Sequence, residues 1–204
     1  MKKKRLLRLA WVIGVLSIFA LVPRAYAISE AFKENIYSLG TLKPVDSVLK
    51  VKVGDRAPYF TLPSLTGENI SLSQYRGKKN EVLSFVPAAW TPVCSDQWPG
   101  YNIVKDIFEE NEAILLGITV DNTPTLYAWT NQMGKLWFPV LSDFWPHGAV
   151  AKKYGVLRSS GVSERALFVI DKKGILRYLN VNDINKRPSL EDLVNALEKL
   201  QKQQ

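Results

Sequence analysis

The chain holds a single cysteine, Cys94, and the residues around it favour sulfur chemistry. Cys94 lies in Phe85-Val86-Pro87-Ala88-Ala89-Trp90-Thr91-Pro92-Val93-Cys94-Ser95-Asp96-Gln97. Thr91 can serve as an N-cap, Pro92 is favoured at a first helical position, and Asp96 suits a first helical turn. A helix is therefore predicted to start here, with Cys94 in its first turn. Unsatisfied N–H groups and the positive end of the helix dipole favour an anion at such a place, and so favour the nucleophilic thiolate. A lone cysteine is otherwise a small buried hydrophobe with no chemistry. Helix position alone leaves both readings open.

The elements that must position the thiol follow from hydrophobic patterning. Glu81-Val82-Leu83-Ser84-Phe85-Val86 is short, β-branched and aromatic, and Pro87 stops it, which predicts a buried strand delivering the chain to the cysteine loop. Beyond Cys94 the helix is predicted to run to about Glu110, kinked by Pro99 and Gly100. Ala113 to Val120 reads as a second buried strand. Asp121-Asn122-Thr123-Pro124 opens a helix carrying Leu126, Trp129 and Met133 and stopped at Gly134. Phe138 to Leu141 is a short strand, and Gly148 to Tyr154 a helix closed by Gly155. Leu167 to Ile170 and Ile175 to Leu179 flank the turn Asp171-Lys172-Lys173-Gly174 as a hairpin. Ser189-Leu190-Glu191-Asp192 starts a last helix, whose Leu190, Leu193, Val194, Leu197 and Leu200 make one apolar stripe. Upstream, Tyr59 to Leu62 and Ile70 to Leu72 form a further hairpin. Strands alternating with helices imply an α/β fold, a central mixed sheet with helices on both faces.

Residues 1–27 belong to another regime. Lys2, Lys3, Lys4, Arg5 and Arg8 precede an apolar run from Leu9 to Val22, and Ala25-Tyr26-Ala27 fits a small-x-small cleavage site. This predicts a secretory signal peptide and a periplasmic or extracellular protein beginning at Ile28. An uncleaved membrane tether is the weaker alternative, because the run is shorter than the roughly 20 residues that span a bilayer. The chain has 27 Lys plus Arg against 19 Asp plus Glu. Six of the basic residues precede Ile28, leaving 21 against 19, so the charge gives no support to a nucleic-acid partner. Residues 28–50 read as an N-terminal arm or linker, and 51–204 as one domain.

Pro87-x-x-x-Thr91-x-x-Cys94 resembles the active-site signature of the peroxiredoxins, the alkyl hydroperoxide reductase C and thiol-specific antioxidant family. Gly54-Asp55-Arg56-Ala57-Pro58-Tyr59-Phe60 is similar to the opening of many members, and Arg165-Ala166-Leu167-Phe168-Val169-Ile170-Asp171 to a second active-site stretch. The decapeptide Leu141 to Val150 is similar to the one-cysteine AhpE-type subgroup. The resemblance spans about Val53 to Val181 and implies a thioredoxin-like fold. It also implies a thiol-dependent peroxidase acting on hydrogen peroxide and organic hydroperoxides through a Cys94 sulfenic acid. On this reading the Thr91 hydroxyl, the N–H groups of Val93 and Cys94, and Arg165 stabilise the reacting oxygens, while Pro87 shields the sulfur. Without the resemblance, Arg165 would read as a solvated strand end. Many members have Glu where this chain has Gln97, a change that removes a charge from the network around the site.

Trp90 and Trp98 flank the nucleophile, which suggests an apolar, substrate-binding mouth. Trp129, Trp137 and Trp145 read as core or interface. His147, the sole histidine, has no metal-ligand spacing around it, and neither a metal nor another cofactor is expected. A dithiol oxidoreductase would need Cys-x-x-Cys, and here the motif is Thr91-x-x-Cys94-x-x-Gln97. A non-enzymatic redox sensor or holdase on the same fold is the rival reading. With no second cysteine, the sulfenic acid must be resolved by an external thiol, from a thioredoxin-like or glutaredoxin-like protein or a low-molecular-weight thiol. The resemblance further implies a homodimer or larger assembly.

Overall fold

A computed structural model describes residues 30–202. The signal peptide expected over 1–27 lies outside the described residues. Among those described, no helix is long and apolar enough to cross a membrane.

Five strands form a mixed sheet in the order β5-β4-β3-β6-β7. They are β3 (Asn80–Phe85), β4 (Ala113–Thr119), β5 (Val140–Ser142), β6 (Arg165–Ile170) and β7 (Leu176–Asn182). β3 is central, parallel to β4 and antiparallel to β6. All six of its residues are buried, because neighbouring strands flank it and both sheet faces are covered. Leu62 pairs with Ile70 in the separate hairpin β1 (Thr61–Pro63) and β2 (Asn69–Ser71).

The period-2 alternation of the strands divides the interior into two cores. Val82, Leu115, Leu167 and Val169 face one, which is filled by Trp98, Phe108, Trp129, Leu193 and Leu197. These come from α2 (Pro92–Gly100), α3 (Lys105–Glu110), α4 (Thr123–Met133) and α6 (Leu190–Gln201). Leu83, Phe85, Leu116, Phe168 and Ile170 face the other, covered by Phe60 just before the hairpin, Leu62 within it, and Val150 and Tyr154 from α5 (Ala149–Tyr154). Each fully buried Leu or Phe contributes about 1.5–3 kcal/mol. Of the stripe expected on α6, Leu193, Leu197 and Leu200 are buried.

The helix expected from Pro92 to Glu110 is instead three pieces. A 3-10 turn over Tyr101–Val104 separates α2 from α3. Pro99 stands inside α2 near its end, where its ring and missing N–H end the regular i to i−4 ladder.

The arm is pinned along the domain. α1 (Glu30–Glu34) inserts Phe32, which is fully buried. Tyr37 N donates to Trp90 O at 2.7 Å and Lys50 N to Tyr154 O at 3.2 Å. Asp46 N and Ser47 N donate to Glu164 Oε1 at 2.6 and 2.8 Å. Gly155, with φ 76°, permits the close approach at the arm's end: a Cβ there would lie 2.4 Å from Lys50 N and Val48 O.

Candidate active site

The β3 strand ends at Phe85, and the turn 86–91 carries the chain back into α2. Three bonds fix that turn. Ser163 Oγ donates to Val86 O at 2.8 Å, Ala89 N donates to Asp121 Oδ2 at 2.8 Å, and Thr119 Oγ1 holds the same carboxylate oxygen at 2.6 Å. Trp90 takes φ 61°, a left-handed conformation rare for a bulky side chain. It turns the chain so that Thr91 can occupy the N-cap position. The Thr91 hydroxyl does not cap the helix, as its type suggested. It donates to Ala88 O at 2.9 Å, which leaves both lone pairs of the oxygen free to accept. The first intrahelical bond is Ser95 N to Thr91 O at 3.0 Å, which leaves the N–H groups of Val93 and Cys94 outside the helical ladder.

Cys94 is fully buried in this first turn, and Arg165 reaches it from the start of β6. Arg165 is 2% exposed, so it is no solvated strand end. Its Nε and Nη2 donate to Ile184 O at 3.1 and 3.0 Å, and its Nη1 donates to Gln97 Oε1 at 2.5 Å. These bonds fix the guanidinium plane, and Nη2 lies 3.4 Å from Cys94 Sγ. Gln97, one turn along α2 from the cysteine, does more than lose a charge. Its Nε2 donates to Tyr101 Oη at 2.9 Å and Ser84 Oγ at 3.2 Å, so the amide is oriented to present its oxygen to Arg165. Burial raises the Tyr101 phenol above its ordinary range and keeps it neutral. Among the described residues, no carboxylate lies within ion-pair range of Arg165.

A cavity of about 230 Å³ opens beside this cluster. Pro87, Thr91, Val93 and Arg165 line it, so the structure brings four of the sequence-derived site residues together, while Cys94 is buried behind them and is not in the lining. Leu39, Thr41 and Leu42 of the arm also line it, with Ile184 and Asn185. The arm residues had no signal in the sequence, since their contacts span more than 140 positions. The two tryptophans expected at a substrate mouth lie elsewhere. Trp98 is fully buried, with its ring 5.1 Å from that of Trp129 and its Nε1 donating to Ser84 Oγ, so it forms no mouth. Trp90 is half-buried against Phe32, ring centroids 5.8 Å apart, and does not line the cavity. Trp145 is 80% exposed, not core. His147 Nε2 is 2.6 Å from Gly161 O and ties two loops together.

A family model described as AhpC/TSA family matches residues 53–179. Alkyl hydroperoxide reductase E of Mycobacterium tuberculosis is 40% identical over 129 residues, covering 63% of this chain and 84% of that protein. Peroxiredoxin TSA1-B of Candida albicans is 37% identical over 141 residues, covering 66% and 70%. Among solved structures, the reduced 2-Cys peroxiredoxin of Plasmodium vivax superposes with a TM-score of 0.70 at 30% identity, over 74% of this chain and 83% of that one. AhpC of M. tuberculosis, at 23% identity and a TM-score of 0.69, shares the fold. With Cys94 and Arg165 brought together inside a thioredoxin-like sheet and the match covering most of the domain, the chain belongs to the AhpC/TSA family, the thiol-dependent peroxidases known as peroxiredoxins.

Proposed function

We propose that Cys94 is the peroxide-reactive nucleophile, that Arg165, Thr91 and the N–H groups of Val93 and Cys94 hold the reacting oxygens, and that Pro87 shields the sulfur. The observation that carries this reading is the 3.4 Å approach of a fully clamped, buried guanidinium to the only sulfur nucleophile in the chain. The Cys94 thiolate faces this cation and attacks one peroxide oxygen, forming the S–O bond as the O–O bond breaks. The other oxygen leaves with the electron pair and takes a proton, giving water or an alcohol. Donors fixed beforehand around the leaving oxygen stabilise its charge without reorganising. The Cys94 sulfenic acid then condenses with an external thiol, releasing water and forming a mixed disulfide, and a second thiol frees Cys94.

Peroxide consumption by the purified protein with an added thiol reductant tests the reading. Sustained turnover by the parent protein and none by Cys94→Ser is expected. Oxidation without turnover would favour the sensor reading instead. Export is part of the same proposal, supported by the basic, apolar and small-x-small pattern of residues 1–27. The mass of the protein from a periplasmic or extracellular fraction should match a chain starting at Ile28, and a full-length cytosolic species would sink this part. Self-association is included too, and Phe144 and Trp145, both exposed, are the surface to test by sedimentation of Trp145→Ser.

A further inference from the structure

We propose that residues 38–42 of the arm are a specificity-determining wall of the peroxide cavity, and that Asn185 is the positioning residue that holds this wall over Thr91 and Arg165. The inference rests on the peroxidase reading and assigns a role within it to a segment ahead of the region matched by the family model.

The wall is held at both ends. On one side Tyr37 N donates to Trp90 O, tying the arm to the left-handed residue beside Thr91. On the other, the Asn185 side chain grips the backbone of Leu42 in both directions: Leu42 N donates to Oδ1 at 2.9 Å and Nδ2 donates to Leu42 O at 2.8 Å. Asn185 is itself fixed through Asp183 Oδ1, which accepts from its Nδ2 at 2.7 Å and its backbone N at 3.0 Å. Just beyond, Arg158 Nη2 donates to Lys43 O at 2.7 Å. Between these fixings Gly40, with φ 70°, turns the chain across the cavity. The bridge is short and restrained by its ends, so it is a wall and not a trailing tail.

The volume of the cavity indicates what the wall is for. Hydrogen peroxide needs little more room than a water molecule, about 30 Å³. The cavity has about 230 Å³, and the apolar side chains of Leu39, Leu42, Val93 and Ile184 are part of its lining. With the reacting oxygens at Arg165 and Thr91, the remaining space accommodates a compact apolar substituent on the far oxygen. The arm leucines contact that substituent and contribute nothing to hydrogen peroxide. An apolar contact of this size discriminates by about ten-fold or more.

The test is stopped-flow oxidation of Cys94 in the reduced full chain by hydrogen peroxide and by cumene hydroperoxide, read as the ratio of the two second-order rate constants. That ratio is unaffected by loss of folded protein. Leu39→Ala and Leu42→Ala should each lower the cumene-to-hydrogen peroxide ratio about ten-fold, and Asn185→Ala should lower it at least as far as Leu42→Ala. Leu39 is half exposed, so its truncation does not threaten folding and decides the matter if Asn185→Ala is unstable. A ratio within two-fold of the parent, or a rise, in both leucine variants overturns the wall. Failure of the parent protein to react with either peroxide would overturn the peroxidase reading beneath it.

Discussion

Arg165 Nη2 lies 3.4 Å from Cys94 Sγ, and among the described residues no carboxylate forms an ion pair with the buried guanidinium. The other partners of Arg165, Ile184 O and Gln97 Oε1, are neutral. Arg165→Ala is therefore expected to slow Cys94 oxidation at neutral pH about 100-fold, the usual loss when one pre-positioned donor is removed. Arg165→Lys should recover only part, because one ammonium cannot reproduce the planar set of donors to Ile184, Gln97 and the sulfur. Stopped-flow fluorescence measures both, and an Arg165→Ala rate equal to that of the parent would remove Arg165 from the mechanism.

The neutrality of Gln97 has its own consequence. A carboxylate at this position would accept the same bond from Arg165 Nη1 and share the positive charge now directed at the sulfur. Gln97→Glu should thus slow Cys94 oxidation several-fold at neutral pH. Equal or faster oxidation in that variant would show that charge at this position does not compete with the thiolate.

Much of this arrangement was legible in the sequence because it depends on local pattern. The buried strand before Pro87, the helix start at Pro92 and the strand headed by Arg165 all follow from runs of under ten residues. The rest depends on contacts between distant segments. Nothing local in Ser38-Leu39-Gly40-Thr41-Leu42 marks it as a cavity wall, since the bond that seats it is to Asn185. The resemblance identified Gln97 as a departure, but its two-sided amide network requires Ser84 and Tyr101 in place. Trp98 reads as part of a mouth because it is near Cys94 in sequence, yet on α2 it points to the core. Thr91 has the right type for a cap, but the left-handed turn at Trp90 gives its hydroxyl Ala88 O as a nearer partner.

The arm is seated by a buried ion pair. Arg158 Nη1 and Glu164 Oε2 are in contact at 5% and 0% side-chain exposure, and Glu164 also accepts both arm bonds, from Asp46 and Ser47. Ser159 and Lys43 hold the Asp46 carboxyl well below the usual carboxylate range, so the bonds from Ser159 to Asp46 persist at all but strongly acid pH. Glu164→Ala leaves Arg158 buried without its anion and should cost about 3–5 kcal/mol. Thermal unfolding should shift down by roughly 10 °C, since about 1 kcal/mol moves a domain of this size by 2–4 °C. Limited proteolysis should cut first within residues 38–50. An unchanged melting temperature and cleavage pattern would show that the pair does not seat the arm.

Glu81 carries a pH dependence. It is 1% exposed in β3, its Oε2 has no hydrogen-bond partner, and its carboxyl is pushed up to about 8, chiefly by burial, with Asp171 adding and Arg76 opposing. Between the ordinary value of 4.5 and about 8 the unfolded chain is ionised here while the folded chain keeps the proton. Folding then takes up a proton, so stability from this group falls as pH rises through that window and levels off above it. Glu81→Gln removes the titration. Its melting temperature should gain on that of the parent progressively from pH 5 to pH 8.5, by several degrees at the upper end. A gap that is constant with pH would show that Glu81 ionises alike in both states.

The oxidised state of Cys94 has no thiol within the chain to resolve it, because Cys94 is the sole cysteine. Stoichiometric peroxide should add one oxygen to Cys94 by mass spectrometry and form no disulfide within the chain. Excess peroxide without a thiol should add a second oxygen, giving the sulfinic acid, and activity should not return when a thiol is supplied afterwards. Adding the thiol first should instead trap a mixed disulfide at Cys94 and protect the sulfur. The wall of the cavity gives the capture step a size dependence. Cys94 is fully buried behind Pro87, Thr91 and Val93, and the arm borders the same opening. A small thiol can use the cavity that admits peroxide, whereas a protein thiol must displace the first turn of α2 or the arm to align with the sulfur. Asn185→Ala, which frees one end of the wall, should therefore speed reduction by a thioredoxin-like protein more than reduction by a small thiol. Equal acceleration of both reductants, or of neither, would mean that the wall does not govern how the sulfenic acid is reached.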